Sequence, residues 1–123
     1  MASSTPKLAK DKGKIDRRRR RHPRYRGDFR VTVSYFLENA YQKLEGHCRD
    51  ISQAGIGILL PAELTSGEVV GLNFTLPSSG ALWEVRAVVR YRHGYHYGFE
   101  FLALPGEHQV SLKKYLAALE AVD

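Results

Sequence analysis

Residues 83–101 read WEVRAVVRYRHGYHYGFEF, and this stretch carries the clearest structural pattern in the chain. Apolar side chains recur at every second position on both sides of Gly94, which is the period of a strand with one buried face. Gly94 itself can adopt the positive φ of a tight reversal. The stretch therefore predicts a β-hairpin with Trp83 in the core and Tyr91 on the same face of its strand. Three tyrosines are expected to pack on the sheet with hydrated hydroxyl groups, at positions 91, 95 and 97.

Four earlier stretches predict four more strands, three with the same period and one, across 40–50, with a weak pattern. They begin near Phe29, Ala40, Ile56 and Val70, and turn-forming residues separate them. Six strands at about ten-residue spacing are typical of an antiparallel sandwich or a small barrel. The pattern alone does not choose between these two architectures.

The period changes after Pro105 and Gly106. Apolar side chains then fall at i, i+3, i+4 and i+7, namely at Leu112, Tyr115, Leu116 and Leu119. This spacing places them on one face of a helix, which is predicted over about residues 106–121. We expect that face to pack on the strands, so that the 123 residues form one domain with one modest core.

The positive charge of the chain is concentrated near its first residues. Residues 1–26 hold eleven Lys or Arg and two Asp, a net charge of +9, whereas residues 27–123 hold eight Lys or Arg and eleven Asp or Glu, a net charge of −3. The expected folded body is therefore slightly acidic and carries a basic arm. Residues 1–16 are predicted to be a disordered tail, and the arginine arm at 17–26 is predicted to be extended and solvated until a ligand binds.

Several classes of protein are not expected from this sequence. Cys48 is the single cysteine, so no disulfide can form within the chain, and its side chain is expected in the core. No apolar run has the length of a membrane span or the form of a secretory signal, which predicts a cytoplasmic protein. His93 and His96 have no third metal ligand nearby, so a metal site is not expected. No catalytic constellation or P-loop is present, so we predict neither an enzyme nor a bound cofactor.

The arginine arm reads RRRRRHPRYR and contains seven arginines in ten positions. Arginine presents a planar fork of donors that fits phosphate and the O6/N7 edge of guanine, and it can also stack on a purine. The simpler interpretation is a solvated tail that binds nucleic acid or anionic lipid through charge alone. The choice of arginine over lysine favours a guanine nucleotide.

The loop Asp50-Ile-Ser52-Gln-Ala-Gly55 follows the second predicted strand. Its simplest interpretation is a β-turn, since Asp and Ser cap turns and Gly supplies a positive φ. The same atoms also suit a nucleobase. A carboxylate accepts from N1–H and N2–H of guanine, a hydroxyl group can bind beside it, and a glycine lets a ligand approach the backbone. Taken alone, the loop favours the turn.

Together, Arg20-x-x-x-Arg24 and Asp50-x-Ser52-x-x-Gly55 resemble the paired motifs of the PilZ domain family, which binds cyclic di-GMP. That family has an RxxxR segment just before its first barrel strand and a (D/N)xSxxG motif on the barrel surface. Both motifs are complete here, in the same order and at a similar distance from the strands. Either motif alone is weak, but the ordered pair is considerably more specific.

The resemblance extends beyond the motifs to about residues 17–104, and the stretch 88–101 is similar to the closing hairpin of the family. It implies a six-stranded antiparallel β-barrel of the PilZ-like, split-barrel type at about residues 28–104. A C-terminal α-helix follows the barrel, and a flexible N-terminal arm precedes it. Residues 17–123 then form a single PilZ-like domain.

The resemblance also implies which residues bind the ligand. They are Arg19, Arg20, Arg24, Asp50, Ser52 and Gly55. In the family, the RxxxR arginines contact guanine edges and phosphates, and the loop motif holds a guanine. An arginine at the position of Arg19 tends to accompany an intercalated pair of cyclic di-GMP molecules. Some members have Trp near the position of Arg90, which we expect here to face solvent. Contacts from the other arginines stay open, at positions 17, 18, 21, 26 and 90.

The resemblance therefore predicts a cyclic di-GMP receptor whose arm changes conformation on binding. Such a receptor regulates a downstream protein in bacterial motility, pili or exopolysaccharide synthesis. One alternative is a small β-barrel that binds nucleic acid non-specifically through its arm, which the acidic body disfavours. Another is a PilZ-like adaptor that works without a ligand, which the complete motifs disfavour.

Overall fold

The structure, a computed structural model, describes residues 22–77 and 79–119. The elements are β1 (Tyr25–Leu37), β2 (Ala40–Ile51), β3 (Gly55–Leu59), β4 (Val69–Thr75), β5 (Leu82–His93), β6 (His96–Leu102) and α1 (Gly106–Ala117). The strands close into one antiparallel barrel with the neighbour order β1-β2-β3-β6-β5-β4. The predicted six-stranded barrel with a C-terminal helix is confirmed, and a sandwich is excluded.

The first strand begins earlier than the sequence pattern predicted. The barrel was expected from about residue 28, but β1 starts at Tyr25. Tyr25 lies opposite Ile51, and Arg26 lies opposite Asp50, both on β2. These partners are distant in the sequence, so local alternation could not reveal the pairing. Two residues of the predicted arginine arm therefore belong to the barrel wall, whereas residues 1–21 lie outside the described residues.

One apolar core fills the barrel and continues beneath the helix. Leu112, Tyr115 and Leu116, on the predicted apolar face of α1, are buried in the same cluster as the strand residues. Trp83 is 2% exposed, as predicted, and its ring meets the ring of His108 on α1 with centroids 4.4 Å apart. The helix ends at Ala117, before the predicted end near residue 121. At 12 residues it is too short to span a membrane, and the described residues contain no other candidate.

The hydroxyl group of Tyr97 holds the segment after β3 against the barrel. Tyr97 is fully buried; its hydroxyl group donates to the carbonyl oxygen of Ala62 and accepts from the backbone N–H of Leu64, the latter over 2.9 Å. The expectation of a hydrated hydroxyl group is therefore wrong for Tyr97. It fits Tyr95, whose side chain is 57% exposed in the turn region of the hairpin.

We predict that Tyr97→Phe lowers the free energy of unfolding by about 1–3 kcal/mol, because it leaves a buried carbonyl and a buried N–H without their partner. Urea unfolding of the purified chain measures this change. Tyr95→Phe is the matched control and should change the stability by less than about 0.5 kcal/mol, since it removes an exposed hydroxyl group. Equal stabilities of the two variants would contradict the role given to Tyr97.

Candidate functional site

A single register row connects four neighbouring strands. Asp50 on β2 lies opposite Gly57 on β3, Gly57 lies opposite Gly98 on β6, and Gly98 lies opposite Tyr91 on β5. We call these four residues the glycine row. Its two outer positions carry polar side chains, and its two central positions carry none. The outer side chains can therefore lie across the strands between them.

Two β-bulges turn the outer residues of the glycine row away from the core. The pairing shifts between Cys48 and Asp50 on β2, and between Val89 and Tyr91 on β5. In a regular strand alternate residues share a face, so Asp50 would face inward like Cys48, and Tyr91 would face inward like Val89. The extra residue in each bulge moves both side chains to the outer surface. The inward orientation expected for Tyr91 is therefore wrong.

Cys48 lies in the core next to the first bulge. Its thiol donates a long hydrogen bond of 3.4 Å to the backbone carbonyl of Asp50. Burial raises the pKa of the Cys48 thiol, and the carboxylates of Asp50 and Asp28 raise it further. The thiol stays protonated at neutral pH, so it acts as a small core side chain, as the sequence predicted.

The two central glycines are required by how closely the outer side chains lie over them. A Cβ atom at Gly57 would stand 2.8 Å from Oδ1 of Asp50, and a Cβ atom at Gly98 would stand 2.1 Å from Cε2 of Tyr91. Real Cβ atoms do not approach other atoms so closely. The Asp50 carboxylate and the Tyr91 ring therefore rest directly on bare backbone, a known use of glycine within strands.

Arg24 joins the two ends of the glycine row. Its Nη1 donates a hydrogen bond of 2.6 Å to the hydroxyl group of Tyr91 and lies 3.6 Å from Oδ1 of Asp50. The other carboxylate oxygen of Asp50, Oδ2, is 3.7 Å from Nε2 of His96. The side chain of Arg24 is only 27% exposed. The expectation of a solvated arm is wrong at Arg24, because Tyr91 and Asp50 of the barrel contact its guanidinium group.

The loop between β2 and β3 is closed by Ser52. Its backbone N–H donates to the carbonyl oxygen of Gly55 over 2.8 Å, and its Oγ accepts from the N–H groups of Ala54 and Gly55 at 3.1 and 3.2 Å. Ser52 is 8% exposed. A Cβ atom at Gly55 would stand 2.1 Å from the carbonyl oxygen of Phe99. The serine thus caps a turn, and Gly55 allows β3 and β6 to approach each other.

A cavity of about 300 Å³ opens beside the glycine row. It is lined by His22, Arg24, Asp50, Ser52, Ala54, Gly55, Ile56, Arg90, Tyr91, Gly98, Phe99 and Glu100. The structure therefore brings four of the predicted site residues together at one cavity, whereas Arg19 and Arg20 lie outside the described residues. Arg90 is 57% exposed, in agreement with the expectation that it faces solvent, and pairs with Glu100 at 2.5 Å.

The sequence analysis did not identify Tyr91, Gly57 or Gly98 as residues of the site. The alternation that placed Tyr91 inward gives no sign of the bulge before it. The positions of Gly57 and Gly98 were visible, since glycine inside a predicted strand indicates a bulge or a close approach. Among the described residues no three His, Cys, Asp or Glu side chains are grouped as a metal site.

The side chains at the cavity define the kind of ligand it can bind. Arg24 supplies a planar fork of donors, Asp50 supplies a carboxylate acceptor, and Tyr91 supplies an aromatic ring. The arginine suits phosphate oxygens, and the carboxylate suits the N–H donors of a heteroaromatic ring. Together they favour a nucleotide whose base presents N–H groups.

The family model of the PilZ domain matches residues 18–118, which is most of the chain. No curated protein sequence matches the chain.

Among solved structures, the fold is similar to that of the Bacillus subtilis inhibitor of motility (MotI/DgrA), with a TM-score of 0.66 and 23% identity over 80% of this chain. The match spans 49% of the Bacillus protein, so this chain covers about half of that protein's length. The PilZ domain with c-di-GMP of Escherichia coli YcgR has a TM-score of 0.64 and 21% identity, over 82% of this chain and 91% of that one. The Klebsiella MrkH–c-di-GMP complex has a TM-score of 0.59 and 17% identity, over 80% of this chain and 51% of that one.

We predict that Gly55→Ala lowers the free energy of unfolding by about 1–3 kcal/mol, because the added methyl group forces the backbones of β3 and β6 apart. Thermal and urea unfolding measure this change. Gly71→Ala is the matched control in β4, where the nearest atom to the added Cβ is 3.7 Å away and no strand has to move. The role given to Gly55 is wrong if both alanine variants unfold like the parent.

Proposed function

The chain belongs to the PilZ domain family, and on this premise we propose that it is a receptor for cyclic di-GMP. The observation that carries the proposal is that the last arginine of one family motif and the loop of the other line one cavity. Arg24 ends the RxxxR segment, Asp50 begins the DxSxxG loop, and their facing atoms are 3.6 Å apart. The cyclic di-GMP in the related YcgR domain supports this choice of ligand.

The arginines of the motif bind the phosphates and the guanine edges in this proposal. Arg24 stands at the cavity with its guanidinium fork partly exposed, and guanidinium donors fit both phosphate and the O6/N7 edge of guanine. Arg20 precedes it by four residues and takes the second position of the motif. Arg19 is the residue that favours an intercalated pair of ligand molecules over one.

Asp50 reads the base in this proposal. Its carboxylate rests on Gly57 and lines the cavity, where its oxygens can accept from N1–H and N2–H of guanine. Adenine presents no such pair of donors, so the carboxylate discriminates between purines. Ser52 and Gly55 contribute through the shape of the loop, because their polar and backbone atoms are already engaged within it.

Binding is proposed to draw the part of the arginine arm that precedes Arg24 across the cavity and so change the surface offered to a protein partner. Ordering a residue costs about 1–2 kcal/mol, and a hydrogen bond to a charged group contributes about 1.5–3 kcal/mol. A few arginine–phosphate and arginine–guanine contacts can therefore offset the ordering of several arm residues. The partner is proposed to act in motility, pili or exopolysaccharide synthesis, which agrees with the similarity to an inhibitor of motility.

We predict that Arg24→Ala, and likewise Arg20→Ala, weakens cyclic di-GMP binding about tenfold or more, which is about 1.4 kcal/mol. Calorimetric titration measures the affinity, and circular dichroism checks that the barrel stays folded. Arg86→Ala is the matched control, because Arg86 is an exposed arginine of β5 that does not line the cavity. Unchanged affinity in the Arg24 variant would remove the basis of the proposal.

We predict that Asp50→Ala weakens cyclic di-GMP binding at least about tenfold, because the guanine loses its carboxylate acceptor. The same variant should bind a single-stranded oligonucleotide as tightly as the parent or more tightly, since it removes one negative charge. Asp28→Ala removes an equal charge away from this cavity and serves as the control. If parent and variants prefer the oligonucleotide and show steep salt dependence, the alternative of non-specific nucleic-acid binding is correct.

A further inference from the structure

Tyr91 is the principal partner of Arg24. Within the described residues, the Arg24 side chain makes one hydrogen bond, from Nη1 to the Tyr91 hydroxyl oxygen over 2.6 Å. Its guanidinium carbon is 5.4 Å from the centre of the Tyr91 ring, which is within the range of cation–π attraction. Its separation of 3.6 Å from Asp50 Oδ1 is too long for a hydrogen bond. Among the described residues, Tyr91 therefore accepts the one hydrogen bond that the Arg24 side chain donates, and its ring adds a cation–π contact beside the ion pair with Asp50.

Two features of the barrel fix the position of the Tyr91 ring. The bulge between Val89 and Tyr91 turns the ring to the outer surface, and Gly98 on the neighbouring strand lets the ring lie flat on the backbone. Any Cβ atom at Gly98 would overlap the ring, with three ring atoms at 2.1 to 2.7 Å. The place of the Tyr91 hydroxyl group therefore depends on the absence of a side chain at Gly98.

We propose that Tyr91, resting on Gly98, is a positioning residue that seats Arg24 at the cavity in the free protein. The inference rests on the proposed function for the identity of the ligand. We call the contact of Arg24 with the Tyr91 side chain on Gly98 the seat. It concerns the protein alone and can be measured without any ligand. It assigns a role to Tyr91 and Gly98, neither of which belongs to the RxxxR or DxSxxG motif.

The seat has two consequences for binding. Arg24 is placed before the ligand arrives, so the cost of ordering this arginine is met during folding and does not weaken binding. Asp50 is near Arg24 without a hydrogen bond to it, so its carboxylate oxygens remain available to the N–H groups of a base. The structure thus separates the residue that holds the arginine from the residue that accepts the ligand.

Hydrogen–deuterium exchange in the free protein tests the seat. Tyr91→Phe keeps the ring on Gly98 and removes only the hydroxyl group, so the barrel should remain folded. Amides of the segment 22–28 should then exchange about fivefold to tenfold faster than in the parent, in line with the net loss of a typical intramolecular hydrogen bond. Tyr95→Phe is the matched control and should leave this segment unchanged, because Tyr95 is exposed in the turn region. Unchanged exchange in Tyr91→Phe would overturn the inference.

A double-mutant cycle tests whether Gly98 acts through Tyr91. Gly98→Ala should raise exchange in the segment 22–28 as Tyr91→Ala does, and the two together should have little more effect than one. Fully additive effects would show that Gly98 acts independently and would overturn its part in the seat.

A cyclic di-GMP titration of the same variants separates this inference from the proposed function. Tyr91→Phe and Gly98→Ala should each weaken binding about fivefold. If these variants exchange faster but the parent does not bind cyclic di-GMP, the receptor function is wrong and the seat is supported. Parent binding together with unchanged exchange in Tyr91→Phe would leave the receptor function and remove the seat.

Discussion

Bulges in β2 and β5 place Asp50 and Tyr91 on the outer surface, and the two glycines between them leave room for both side chains to lie over the sheet. The rest of the site depends on this arrangement. Without the bulges, strand alternation would direct both side chains into the core, where a carboxylate is costly. Without the glycines, both side chains would be displaced from the positions at which Arg24 lies between them. The polar site is therefore a consequence of local irregularity in an otherwise regular barrel.

The residues of the DxSxxG motif have two kinds of role: two of them shape the loop, and one presents its side chain to the cavity. Ser52 closes the turn with its hydroxyl group, and Gly55 lets β3 approach the backbone of Phe99. Asp50 is the motif residue whose side chain stays available at the cavity. A match to the DxSxxG pattern thus indicates the geometry of the loop as much as it indicates which ligand binds there. In the proposed receptor, recognition of guanine depends more narrowly on Asp50 and on the arginines that face it.

The sequence predicted those parts of the molecule that local patterns control. Period-two alternation identified the strands, and the ordered motif pair identified Arg24, Asp50, Ser52 and Gly55, which the structure brings to one cavity. The start of β1 at Tyr25 and the outward turn of Tyr91 were missed, because both depend on pairing with strands far away in the sequence. The contact between Arg24 and Tyr91 joins residues 67 positions apart, so no local pattern could predict it.

In the proposed receptor, the position of Arg24 bears on the four-residue spacing of the RxxxR motif. Arg24 is held at the cavity next to the first residue of β1, so the chain before it starts from a fixed point. Four extended residues span at most about 14 Å, which is enough to carry a second arginine across a cavity of about 300 Å³. Arg20 lies four residues before Arg24 in the sequence, whereas Arg17 and Arg21, the other arginines with this spacing, do not include Arg24. The seat on Tyr91 therefore favours Arg20 and Arg24 among the pairs that the arginine run allows.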